Sequence, residues 1–194
     1  MKQVLGASDT FFPTPVVLVG SGIGEKANII TVAWVGMVCS EPPTIAISMT
    51  RGRESTKIIR SHGEFSVNIP NASLVHEVDY CGIVSGRNYS KFKDTKLTPI
   101  HGTKISTPII EECPYNLECK VSREIEIGDF VIFFGEILEI HIDDICIGDG
   151  GKIDLGKVEP LVYAAGLREY WKLGEKAGQA FNAGKKLFAK EEKS

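Results

Sequence analysis

Residues 116 to 143, "NLECKVSREIEIGDFVIFFGEILEIHID", constrain the fold more than any other stretch of this chain. Leu138, Ile140 and Ile142 alternate there with Glu139, His141 and Asp143. A period of two is the pattern of a sheet with one solvated face. Gly128 and Asp129 interrupt the run near its middle, so it predicts two long antiparallel strands joined by a tight turn.

The first half of the chain adds more strands. "PVVLVGSG" (15 to 22) predicts one, and "NIITVAWVGMV" (28 to 38) a second. "SEPP" (40 to 43) is a turn, and "TIAISM" (44 to 49) and "EFSVNI" (64 to 69) are further strands. Between the last two, "ESTKIIRSHG" predicts a short helix with Ser55 as N-cap and Gly63 closing it. A parallel doubly wound sheet would need a helix after nearly every strand. The expected fold is therefore mainly β, an antiparallel barrel with helical insertions.

From Trp171 the pattern changes. Ala177, Ala180, Phe181, Gly184, Leu187 and Phe188 recur at helical spacing, with Lys172, Lys176, Lys185, Lys186 and Lys190 around them. The spacing predicts an amphipathic, lysine-rich C-terminal helix packed on its own barrel or on a second subunit. The expected division is a domain over 1–174 followed by this helix over 175–194.

With 194 residues, 43% of them hydrophobic and 24% charged, the chain can bury a core without metal or disulfide staples. A net charge of -3 gives no general basic field for nucleic acid. Cys39, Cys81, Cys113, Cys119 and Cys146 are odd in number, widely spaced and without zinc spacing. Neither a secretory signal nor a run of transmembrane length is present, so the expectation is a reduced, cytoplasmic protein away from the membrane.

Some motifs lead nowhere. In "GSGIGEK" (20 to 26) the third glycine of a dinucleotide fingerprint is replaced by Glu25 and no amphipathic helix follows. "DDICIGDGGKIDLG" lacks the ligand order and closing glutamate of a calcium loop. His62, His76, His101 and His141 lie in separate elements, and no nucleophile elbow exists.

Two stretches carry chemistry. "SMTRGRESTKI" (48 to 58) places Ser48, Thr50, Arg51 and Arg53 just before a helix that opens with Ser55 and Thr56. Free N–H groups at a helix start, hydroxyls and a guanidinium make an anion cradle. The same residues also read as capping on a solvated loop. "NIITVAWVGMV" sets Asn28, Thr31 and Trp34 in an otherwise apolar, charge-free run, which suits a flat ligand with a polar edge.

In order and spacing, "TPVVLVG", "NIITVAW", "SEPPTIAIS", "RESTKIIRSHGEFSVNIP", "DYCGIVSGRNYSKF", "EECPYNLEC", "GEILEIHID" and "PLVYAAGLREYWKLG" together resemble the flavin reductase-like family. Within it the resemblance is strongest to the flavoredoxin group. It covers residues 13 to 174 and implies an FMN-binding split β-barrel with short flanking helices. It also implies that Asn28, Thr31, Ala33 and Trp34 run along the isoalloxazine ring and that Ser48, Thr50, Arg53, Ser55 and Thr56 surround the phosphate. Ser85, Gly86, Lys91 and Phe92 would close over the flavin, from the same or a neighbouring subunit, with Tyr163 and Tyr170-Trp171 as aromatic cover. Phe92 and Trp171 read equally as core residues, and Lys91 as a solvated charge.

The resemblance implies FMN-dependent redox chemistry in a homodimer, with "SGRNYSKF" and the C-terminal helix as surfaces that complete the cleft. FMN carries the chemistry, so no catalytic side chains are expected. Two functions fit. One is a flavoredoxin-like electron carrier served by a redox protein; the other is an NAD(P)H-dependent flavin or ferric reductase. A non-catalytic flavin-binding module is the third.

Overall fold

The computed structural model describes residues 1–188, and its largest element is the expected hairpin. Strands are numbered in chain order. They are β1 (Thr14–Pro15), β2 (Val17–Ser21), β3 (Asn28–Val32), β4 (Val35–Ser40), β5 (Pro43–Thr50) and β6 (Glu64–Ile69). After them come β7 (Pro99–Ile100), β8 (Ile109–Ile110), β9 (Tyr115–Ile127), β10 (Phe130–Ile142), β11 (Leu161–Ala164) and β12 (Glu169–Lys172). The helices are α1 (Glu54–His62), α2 (Val75–Ile83), α3 (Lys91–Thr95), α4 (Leu155–Val158) and α5 (Lys185–Phe188).

Seven strands form one antiparallel sheet in the order β3-β2-β6-β9-β10-β5-β4. Its two edges, β3 and β4, are consecutive in the chain and separated only by Ala33 and Trp34. The run 28 to 38, expected as one strand, is thus two. Its first half pairs with β2 and its second half with β5. This change of partner joins both edges of the sheet and closes it into a barrel.

The barrel interior is filled by Val17, Val19, Ile30, Val32, Ile47, Phe65, Val131 and Phe133. A second core lies outside it, where Leu18 and Ile29 meet Val78 and Cys81 of α2. Strands β2 and β3 are therefore buried on both faces, which is why their sequences are nearly continuous apolar runs rather than alternating ones. Helix α2 starts before the quoted "DYCGIV" (79 to 84) and takes in all of it but Val84, and the sequence reading places no helix there.

Helix α1 ends as expected. Gly63 adopts the left-handed region (φ 70°) and its N–H donates to Ile59 O at 2.7 Å. Its start differs: Arg53, not Ser55, is the N-cap, and no side chain caps it. The expected C-terminal helix also differs. Trp171 lies in β12, residues 175 to 184 form no α-helix, and helix appears only over Lys185–Phe188. Gly174, Gly178 and Gly184 weaken any helix there. Phe181 is fully exposed, so the apolar stripe has no surface to pack on. Lys190 and its neighbours lie outside the described residues.

Candidate functional site

Asn28 opens β3 buried, and its Nδ2 donates to Ser55 Oγ at 2.8 Å. That bond explains the displaced cap. Ser55 points from the first turn of α1 toward β3 instead of back onto its own backbone. Having accepted from Asn28, Ser55 keeps its hydroxyl proton free to donate elsewhere. Thr56 is buried beside it and donates to Thr50 O at 2.9 Å.

A small recess of about 10 Å³ forms here, lined by Asn28, Arg53, Ser55, Ser85, Gly86 and Lys91, six of the residues expected at the site. Gly86 lies directly against Asn28: a Cβ there would sit 2.5 Å from the Asn28 amide oxygen and force that buried side chain to shift. The segment after α2 thus closes on its own subunit. Ile30, Glu54 and Val84 also line the recess and were not anticipated. Ile30 could have been, since it shares the Asn28 side of an alternating strand.

Lys91 is 3% exposed, so it is not a solvated charge, and its Nζ donates to Cys81 O at 2.7 Å. Burial, reinforced by the nearby Arg53 and opposed by Cys81, lowers its pKa to about 8. Arg53 donates to Gly82 O at 3.4 Å. Among the described residues, neither cation is in an ion pair with a carboxylate. Glu54, the one acid lining the recess, is engaged by Arg87 at 3.0 Å. What remains is an uncapped helix start, a free hydroxyl and two unpaired cations, the donor set of an anion site.

Strand alternation sends Thr31 and Ala33 to the other face of β3. Thr31 Oγ1 donates to Val78 O of α2. Together with Tyr163, Tyr170, Asp79, Gly82 and Arg168 they line a second recess of about 310 Å³. The Tyr163 and Tyr170 rings are 5.4 Å apart, and Tyr170 donates to Asp79 Oδ1 at 3.2 Å. Gly82 lines this larger recess and accepts from Arg53 of the smaller one, so the two are neighbours.

Trp34, Ser48, Thr50, Thr56, Phe92 and Trp171 line neither recess. Trp34 packs on Phe130 with ring centroids 4.7 Å apart, and its carbonyl accepts from Ser48 N at 2.9 Å. Phe92 packs against the second core. Trp171 is exposed, with its indole N–H on Glu169.

Known proteins share this architecture. Flavoredoxin of Desulfovibrio vulgaris (Miyazaki F) superposes with a TM-score of 0.90 at 38% identity, over 95% of this chain and 100% of that chain. Flavoredoxin from Methanosarcina acetivorans gives 0.88 at 32% identity, over 96% and 100%. An uncharacterised protein of Archaeoglobus fulgidus is 33% identical over 143 residues, 74% of this chain and 80% of its own. The model of the "flavin reductase like domain" matches residues 9–172, nearly the whole barrel with both recesses, and the chain belongs to that family.

Proposed function

We propose that this protein is an FMN-binding flavoprotein whose role is electron transfer, like the flavoredoxins it resembles over almost its whole length. The observation that carries the choice of FMN is the anion recess. It holds two cations without carboxylate partners beside an uncapped helix start. A phosphate monoester suits that donor set, with Arg53, the Ser55 hydroxyl and the first N–H groups of α1 as its partners. When bound, FMN supplies the one- and two-electron redox chemistry.

The chain's own residues bind, orient and shield. Lys91 brings a buried positive charge to the recess, and an anion beside it would offset the burial that lowers its pKa. Asn28 holds Ser55 in place, and Gly86 lets the segment after α2 lie directly on Asn28. Thr31, Ala33 and Tyr163 offer the larger recess to the ring, and Trp34 with Phe130 forms an aromatic pair at the end of β3. The working unit in this reading is a homodimer.

The first expected result is that the purified protein is yellow and releases FMN, not FAD, on denaturation. A colourless protein that also ignores added FMN would sink the proposal. Arg53→Ala is expected to cost about 1.5–3 kcal/mol of FMN affinity through the lost charge-assisted bonds. Riboflavin, which lacks the phosphate, should bind wild type and variant alike. Fluorescence titration with both flavins makes the comparison, and equal FMN affinities would reduce Arg53 to a surface charge.

A carrier role predicts slow reduction by NADH and NADPH and ready exchange with a low-potential redox protein. Stopped-flow reduction by either nucleotide at or above ~1 s⁻¹ would instead make the protein a reductase.

A further inference from the structure

We propose that Arg168 and Asp79, which line the larger recess without pairing, set the redox poise of a flavin held there: Arg168 favours the reduced ring and Asp79 opposes it. This rests on the FMN reading above. It concerns the two charged side chains that the reading leaves without a role.

Several elements meet at the larger recess. Thr31 comes from β3, Asp79 and Gly82 from α2, Tyr163 from β11, and Arg168 from the turn between β11 and β12. Asp79 and Arg168 are the only charged side chains that line it. Opposite charges on a common recess ordinarily close on each other. Here, among the described residues, Arg168 is in no ion pair. Asp79 accepts instead from the Tyr170 hydroxyl at 3.2 Å. Burial and the neighbouring Asp79 raise the Tyr170 pKa, so that proton stays on the tyrosine. Glu169, next to Arg168 in the chain, takes the Trp171 indole N–H. The guanidinium is left at the rim of the recess without a carboxylate.

Its backbone is unusual as well. Arg168 closes the turn at φ 59°, in the left-handed region that glycine and asparagine enter most readily. Its N–H donates to Ala164 O at 2.9 Å. An arginine kept where the backbone favours another residue points to work for its side chain.

That work is electrostatic. A flavin ring that takes two electrons from a low-potential donor and one proton from water gains one negative charge. A cation beside the ring stabilises that charged form, and a carboxylate destabilises it. Both Arg168 and Asp79 are exposed, so solvent screens the two effects to a modest size.

Spectroscopic redox titration of the FMN-loaded protein reads the poise. Flavin titrations in air and under dithionite read the affinities for the oxidised and reduced forms. Arg168→Asn removes the charge and suits the turn. It should bind oxidised FMN as wild type does. Reduced FMN should bind about tenfold more weakly, which lowers the two-electron midpoint potential by about 30 mV. Arg168→Lys, which keeps the charge, should hold the wild-type midpoint. Asp79→Asn should raise it.

A protein that binds no FMN in either form overturns the FMN reading, and this proposal with it. Bound FMN with the same midpoint in wild type, Arg168→Asn and Asp79→Asn overturns the proposal alone. So does an Arg168→Asn protein whose two affinities fall together, because that marks a structural role. If Arg168→Asn fails to fold, the Asp79→Asn midpoint decides: a rise supports the proposal, and a fall or no shift overturns it.

Discussion

Glu118→Ala is expected to lower the free energy of unfolding by about 3–5 kcal/mol, measured by urea denaturation at neutral pH. Glu118 sits on β9 with no exposed surface. Its carboxylate accepts the backbone N–H groups of Thr103, Lys104 and Ile105 at 2.7 to 2.8 Å, the Thr103 hydroxyl, and His141 Nε2. Removing it orphans three backbone donors in a connection that has no sheet ladder to fall back on. Each unsatisfied donor costs about 1–3 kcal/mol, less where water can enter.

Burial alone would raise the Glu118 pKa. The donors, led by Thr103 and His141, outweigh burial and hold it at about 2. The sign follows from that depression. The ionised carboxylate stabilises the fold above the ordinary carboxylate value of 4.5. That contribution fades as pH falls from there through about 2. The stability gap between wild type and Glu118→Gln should therefore shrink across this window. A gap that stayed constant down to pH 2 would show that the donors are not bound to an ionised group.

Glu118 also shows why part of the fold was hidden. In "NLECKV" it reads as the solvent-facing member of an alternating strand, between Leu117 and Cys119. What buries it is the connection at 102 to 105, distant in sequence and without a pattern of its own. The hairpin was legible because its alternation is local and its turn chemistry is explicit. The break at Ala33–Trp34 was not, because a charge-free run looks the same whether it keeps one partner or changes to another.

That Arg53 and Ser55 share a recess was legible for a related reason. Arg53 and Ser55 sit at a helix start, and helix starts are written locally. Ser55 was nevertheless given the wrong task. Local preference favours a serine cap, and the buried amide of Asn28, 27 residues away, won the hydroxyl instead. The same logic separated Asn28 from Thr31. Three residues apart on one strand, their side chains must leave from opposite faces, so one meets α1 and the other α2.

The barrel interior supplies the second large effect. Phe65 is fully buried on β6, and Phe65→Ala is expected to cost about 3–5 kcal/mol. Its ring reaches Gly135 on β10, where a Cβ would lie 2.3 Å from Phe65 Cζ and 2.7 Å from Cε1. Gly135 is thus a glycine because the phenyl ring takes the place of its side chain. The β9–β10 register also shifts between Phe134 and Gly135. Gly135→Ala alone overpacks the contact and should cost about 1–3 kcal/mol. In the double variant the new methyl enters space that the ring has vacated, so the two losses should not add. The shortfall from additivity is expected at about 0.5–3 kcal/mol, the range for residues in contact. Neither position lines the anion recess, so the folded fraction of each variant should bind FMN as wild type does. Additive losses would show that the barrel relaxes around the two sites independently. Strand β10 would then not owe its place between β9 and β5 to this ring and this glycine.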